Sequence, residues 1–372
     1  MLNLHQLVAG PVRIASIEAL HYERRYLVRA TSIDGAQGIV TVNDRLRYLW
    51  PILREFVVPV YVGKDARDLE TLVDEVYTAR SAYKLAGIAL WNCVAYVELS
   101  LLDLLGNLVH RSVSQLVGPV LRPQIPIYLS STGRDTTPEE ETAWLAERLA
   151  QTGARAVKFK IGGRMSHNAD ASPGRSERLV ALARKTFGDE ITLYVDANGS
   201  YDADHAIALG PLLEEYGVAF LEEPCPWEEI EQTKQVADAL ALPVAGGEQD
   251  SSLPHFSRMI RNHVIDLVQP DVMYCGGFVR CLRVAQMAEA AGMQIMPHSP
   301  KLGAESAAVL HFGAVARNLG PHQEYQAKAS APEPWYTPSF EISNGSVAVP
   351  SGPGLGVCYD PAVLAQAEPL FT

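Results

Sequence analysis

Cysteine is scarce in this chain and never paired by spacing: Cys93, Cys225, Cys275, Cys281 and Cys358 are the only five in 372 residues, with no CxxC among them. That argues against a disulfide framework and a thiolate metal site, and leaves buried free thiols as the plain reading. Positive charge is also short. Lys and Arg number 31 against 43 Asp and Glu, a formal charge of −12. Such a balance disfavours nucleic acid and anionic membranes as partners, although carboxylates that hold a cation would count for less. No apolar run approaches the roughly 20 residues of a membrane helix, and no charged-then-apolar leader opens the chain. A cytoplasmic protein without a membrane partner is expected. Low-complexity tracts are missing too.

What is present is a rhythm. With 372 residues, 48% of them hydrophobic, the chain exceeds one ordinary domain and accommodates a barrel of roughly 250 residues plus a smaller unit. From Arg155 to Glu324 one unit repeats: an apolar run, a polar residue that closes it, then a helical segment. The closing residues are Lys160, Asp196, Glu222, Glu248, Asp271, His298 and Glu324. Subtracting successive positions gives steps of 36, 26, 26, 23, 27 and 26 residues, the spacing of a (β/α) barrel whose strand ends share one mouth. Ahead of it, residues 12–43 alternate as antiparallel strands with a turn at Ser32-Ile33-Asp34-Gly35, and residues 68–83 and 85–109 have helical periodicity. Thr137, Asp202, Ser252 and Gly303 open later helices. The expected organisation is an α+β capping domain over residues 1–122, a barrel over 123–332, and a Pro- and Gly-rich segment over 333–372 that folds back towards the capping domain.

Residues two apart on a strand face the same way, so the barrel lining can be read directly. Lys158 and Lys160 share a face, and mutual repulsion with partial burial would let one of them become a neutral base near pH 7. Two solvated lysines are the alternative. Asp196 with Asn198, Glu222 with Phe220, and Glu248 with Val244 and Gly246 end three successive strands. Three carboxylates brought together repel strongly unless a hard divalent ion joins them, and all-oxygen ligation with open positions suits Mg²⁺. Any one of these acids alone also reads as a helix cap or a solvated loop residue. Asp271 ends the next strand and His298 the one after, so the carboxylate can hold one ring nitrogen and leave the other free for proton transfer. Tyr128 and Ser130, at the end of the first barrel strand, are candidates to hydrogen-bond a substrate.

Taken in order, Lys158-Phe-Lys160, Val195-Asp-Ala-Asn-Gly199, Leu221-Glu-Glu-Pro224, Gly247-Glu248, Gln269-Pro-Asp-Val272 with Gly276-Gly277, and His298 make a pattern. It resembles the enolase superfamily, in its mandelate racemase subgroup. Asp103 with Gly106 and Leu116-Val-Gly118 extend the resemblance ahead of the barrel, so that it covers nearly the whole chain. It implies an α/β fold, a modified (β/α)₇β TIM-like barrel with an N-terminal α+β capping domain. It also implies one Mg²⁺ per site, held by Asp196, Glu222 and Glu248. Lys160 and His298 become acid/base catalysts on opposite faces, His298 paired with Asp271, while Lys158 and Glu324 stabilise an ene-diolate oxyanion.

Dipeptide epimerases and muconate-type enzymes of the family carry a lysine after the sixth strand, where this chain has Asp271-Val-Met273. The pattern is therefore similar to racemases and acid-sugar dehydratases. The long polar loop from Arg164 to Arg175, with His167, Asn168 and Asp170, is unsuited to a mandelate-like ring. His21-Tyr-Glu-Arg-Arg-Tyr26 lies in the segment that covers the site in the family. Arg164, His167, Arg24 and Arg25 are thus candidates for substrate hydroxyls or a far carboxylate, with a solvated pair the plainer reading of Arg24 and Arg25. The expectation is a hydro-lyase that converts an aldonate or aldarate to a 2-keto-3-deoxy acid. A racemase or epimerase of a 2-hydroxy acid is the alternative, and a catalytically silent metal-binding homologue a remote one. The partner would be a small carboxylate; the family is often octameric or dimeric, so a homo-oligomer is expected.

Overall fold

The computed structural model describes residues 2–328 and 333–371. Near the N-terminus, β1 (Ile14–Tyr22), β2 (Arg25–Ser32) and β3 (Gln37–Val42) form an antiparallel meander, and the strand Glu368–Phe371 completes the sheet beside β1. Its inner face packs on the helix Ile88–Val109. A side chain at Gly38 would run into the backbone of Ser100 and Leu104 at 2.1 and 2.2 Å, so this strand can approach the helix only as glycine. Asp103 ties three segments together, accepting from Ile39 N at 2.9 Å and Leu355 N at 2.6 Å. By length and composition this 22-residue helix, mean hydropathy 1.6, passes for a membrane span, contrary to the expectation that no such run exists; 89% of its apolar window is buried inside the protein, which makes it a core helix.

Between sheet and helix the chain is helical where the sequence offered no periodic signal. Leu46–Ile52 runs into a π-helical turn at Leu53–Val57, and Val58–Tyr61 returns to α. Pro51 lies inside the first of these, where its missing amide interrupts the regular ladder.

The second sheet is the barrel. Parallel strands β4 (Gln124–Ser130), β5 (Ala156–Lys160), β6 (Thr192–Asp196), β7 (Val218–Glu222), β8 (Val244–Gly246), β9 (Leu267–Val268) and β10 (Gln294–Ile295) pair in sequence order, and β11 (Gln323–Gln326) pairs with β4. Ile295 bridges to Leu319, which brings the two ends of the sheet together. Helices fill the connections. Thr137, Asp202 and Ser252 accept from backbone amides three residues on, as their positions ahead of helical segments require. Tyr128, Ala156, Tyr194, Phe220, Ala245 and Met296 fill the barrel interior below the mouth.

Residues 333–371 contribute strands to both sheets and form a two-stranded sheet of their own, Tyr336–Thr337 with Cys358–Tyr359. The hairpin of Ile342–Ser343 and Ser346–Ala348 pairs antiparallel with the start of β4, giving backbone partners to residues that protrude below the barrel. The expected boundary at residue 332 lies outside the described residues. Four cysteines are buried and Cys358 is exposed, so the fifth departs from the buried reading.

Candidate active site

Each barrel strand delivers its last inward residue to the same mouth. Asp196 and Glu222 end β6 and β7 in register with each other and with Lys160. Glu248 arrives differently. Ala245, not Val244 or Gly246, lies in the barrel interior, so the face expected for β8 is off by one. Gly247, with φ of +111°, turns the chain beyond the strand end and restores Glu248 to the mouth. The three acids are buried, and one carboxylate oxygen from each lies within 4.8 Å of the others. Burial and the charge of Asp196 push the Glu222 carboxyl well up, whereas Asp196 is held low despite burial by Lys160 and Lys158. Glu248 Oε2 accepts no hydrogen bond among the described residues, although His298 Nε2 stands 3.3 Å away. A crowded set of hard oxygen donors with an unsatisfied buried oxygen fits a divalent cation such as Mg²⁺.

Lys158 sits beneath this cluster with no exposed surface. Its Nζ donates to both oxygens of Glu222 at 2.7 Å and lies 2.8 Å from Glu324 Oε1, 3.8 Å from Asp196 and 5.3 Å from the centroid of the Tyr128 ring. Burial alone would lower its pKa; Glu222 and Glu324 outweigh that and raise it well above the usual lysine value. Lys158 is therefore a fixed ammonium, and the lysine repulsion expected from the sequence is overridden for it by carboxylates at closer range. Lys160 donates to Asp196 Oδ2.

On the other wall His298 Nδ1 donates to Asp271 Oδ2 at 2.8 Å, and Asp271 Oδ1 accepts from the amides of Met273 and Tyr274 at 2.7 and 2.9 Å. The carboxylate fixes the ring, and Nε2 faces the acidic cluster. Burial lowers the imidazole pKa, but Glu248, Glu324 and the bond to Asp271 bring it net above its ordinary value. Lys160 and His298 stand on strands or strand ends three steps apart around the barrel, in the order β5, β4, β11, β10.

The remaining candidates separate. Asn198, in a left-handed conformation, donates its amide to Asp196 Oδ1 at 2.8 Å and its side chain to Asp196 Oδ2 at 3.2 Å. Glu324 accepts from Ser130 Oγ and Ser299 N, both at 2.7 Å. Burial raises its pKa, but Lys158, His298 and Lys160 bring it down to about 2. With Lys158 Nζ 2.8 Å from its Oε1, Glu324 holds that ammonium in place. The Ser130 hydroxyl is committed to Glu324, and Tyr128 is wholly buried in the barrel interior against Tyr194, so neither meets a substrate at the mouth. Arg24 is exposed at the β1–β2 turn. Arg25 pairs with Glu333 and lies 5.6 Å from the Trp335 ring, lining a cavity of about 520 Å³ that none of the three clustered acids reaches. His167 is exposed; its loop is folded on the scaffold, with Asn168 bonded to Asp202 and Asp170 capping Ser176. Arg164 does line the cleft above the acids.

That cleft, about 320 Å³, is bounded by Asn198, Glu248 and His298 together with Arg45, Arg164 and Tyr274. It is smaller than the cavity at Arg25, yet it is lined by Glu248 of the acidic cluster together with His298. Arg45 and Tyr274 have no periodic signature and were not singled out, nor was Arg134, which donates to Gly162 O at 3.1 Å and Asn198 Oδ1 at 2.9 Å. Gln269 donates to Glu222 Oε2 at 2.8 Å; its place two residues before Asp271 was the available signal.

Comparison with known proteins agrees with this geometry. The family described as enolase C-terminal domain-like matches residues 141–363. An arabinonate dehydratase of Saccharolobus solfataricus is 28% identical over 335 residues, covering 88% of this chain and 87% of the relative. A D-galactonate dehydratase of Pectobacterium atrosepticum is 31% identical over 296 residues, 77% of this chain and 75% of its own. A crystal structure from Roseobacter denitrificans, provisionally described as a racemase, superposes with a TM-score of 0.89 at 35% identity, over 96% of this chain and 98% of that one. Matched over more than half its length and superposable almost throughout, the chain belongs to the enolase C-terminal domain-like family of the enolase superfamily and is an enzyme.

Proposed function

We propose that this enzyme is a Mg²⁺-dependent dehydratase of an acid sugar, an aldonate or aldarate. The observation that carries the reading is the His298–Asp271 pair facing, across the Asp196, Glu222 and Glu248 cluster, a second proton-transfer group in Lys160. The names of the two curated relatives support the same reaction class.

Asp196, Glu222 and Glu248 would hold the ion, which when bound supplies positive charge to a substrate carboxylate as negative charge develops on it. Everything else is the chain's own work. Asn198 and Gln269 orient the ligand carboxylates of Asp196 and Glu222. Lys158 adds a permanent buried charge beneath the developing anion. One catalyst removes the proton from the carbon next to the carboxylate, and the other protonates the hydroxyl on the following carbon as its C–O bond breaks. Water leaves, and the resulting enol returns as the 2-keto-3-deoxy acid. His298 moves its proton at Nε2, Lys160 at Nζ; which of them begins follows from the configuration of the substrate carbon.

A racemase or epimerase is the second reading, favoured by proton-transfer groups on two sides of one site and by the provisional description of the Roseobacter structure. A library of sugar mono- and diacids, screened with Mg²⁺ by semicarbazide trapping, separates the two. A keto product is expected; inversion of configuration without keto product would replace the dehydratase with an isomerase.

A further inference from the structure

We propose, resting on the acid-sugar reading, that the cleft selects a dicarboxylic substrate and that Arg45 and Arg164 bind its second carboxylate. The acidic cluster and the two catalysts account for one carboxylate and the carbon beside it. Two guanidinium-bearing side chains, Arg45 and Arg164, line the same cleft. Arg45 comes from the segment after β3; its guanidinium lies 4.7 Å from the Tyr274 ring centroid, and that ring lies 5.9 Å from the ring of His298. Arg164 comes from the loop after β5, and its terminal nitrogen lies 3.4 Å from Asn198 Oδ1. One is thus on the His298 side and the other on the Asp196 side.

Neither has a carboxylate within ion-pair distance among the described residues. Arg25, Arg29, Arg54, Arg67, Arg178 and Arg283 pair with acids and many other arginines do not, so what distinguishes Arg45 and Arg164 is their place on the cleft that Glu248 and His298 also line. Of the carboxylates on the cleft wall, Glu248 belongs to the acidic cluster and Glu223 accepts from Asn198 at 3.4 Å. Two uncompensated guanidiniums in a chain of charge −12 are a receptor for an anion that arrives from outside. An aldonate ends in a neutral hydroxymethyl group and would leave both without a counter-charge. An aldarate ends in a carboxylate that either fork can accept.

Calorimetry with adipate and hexanoate tests this in the presence of Mg²⁺, because the two share a six-carbon chain, differ in the second carboxylate and need no turnover. Adipate should bind the wild-type enzyme about 10- to 100-fold more tightly. Arg45→Met, which keeps bulk and loses charge, should remove most of that difference while changing hexanoate binding far less. Equal affinities in the wild type, or equal losses for both ligands in the variant, would overturn the assignment. In the keto-product assay a hexarate should be preferred over its matching hexonate by a similar factor, and the reverse preference also overturns it. If neither sugar acid gives product while adipate is still preferred, the dehydratase reading falls and the dicarboxylate site stands.

Discussion

Asp271 and His298 come from successive barrel strands and meet through one bond of 2.8 Å between Oδ2 and Nδ1, with the far oxygen of Asp271 pinned by two backbone amides. The carboxylate is immobile, so the imidazole is too. Asp271→Asn replaces an acceptor with an amide that can present either end, and the ring loses its fixed tautomer. Turnover should fall about 10²- to 10⁴-fold, while circular dichroism and thermal midpoint stay near wild type. Activity within a factor of three of wild type would show that the pair is structural.

Gln269 touches no substrate in this account; it donates to Glu222 Oε2 from beneath. Gln269→Leu should weaken Mg²⁺ binding about 10- to 100-fold by titration calorimetry, and Glu222→Gln should weaken it more. An unchanged affinity in Glu222→Gln would remove that residue from the ion site.

Lys158 is a charge buried among acids, and removing one partner of such a set leaves the others uncompensated. For Lys158→Met without metal, urea denaturation should show a loss of about 3–5 kcal/mol. A variant as stable as wild type would mean that the acids are neutralised by protonation.

Glu98 makes stability depend on pH below about 8. It lies on the core helix and accepts from Val279 N at 3.0 Å, at the start of a barrel helix, and among the described residues its second oxygen has no hydrogen-bond partner. Burial pushes its pKa up to about 8 despite that bond. Because the folded value exceeds the unfolded one, its contribution to stability is complete below about pH 4 and is lost as pH rises through about 8. The thermal midpoint should therefore decline between about pH 4 and 8 and level off above that, and Glu98→Gln should flatten that slope. The neighbouring Gly277 has φ of +100°, and a Cβ there would come within 2.4 Å of the Glu98 carboxylate, so Gly277→Ala should destabilise at every pH.

The strand ends were legible because each closes a short apolar run at a regular step, and position on a barrel strand dictates the direction of Lys160, Asp196 and Glu222. Glu248 shows the limit of that logic: its face was misread by one residue, and only the left-handed Gly247 brings it back. Arg45, Arg134 and Tyr274 were invisible because their placement depends on contacts between distant segments that no local period encodes. The same cause misdirected attention to Arg25 and His167. Their charge was right for a substrate, but Glu333 claims the first and solvent the second. Helical structure around Pro51 was hidden by the residue that would ordinarily forbid it.

In the proposed mechanism Lys160 and His298 move protons on either side of a carboxylate held at the acidic cluster. With the substrate found by screening, NMR in D₂O should follow exchange at the α carbon and formation of keto product together. Wild type should give product, the variant that lacks the initiating base should give neither signal, and the other should exchange the α proton without eliminating water. Full product formation by both Lys160→Ala and His298→Asn would contradict the account.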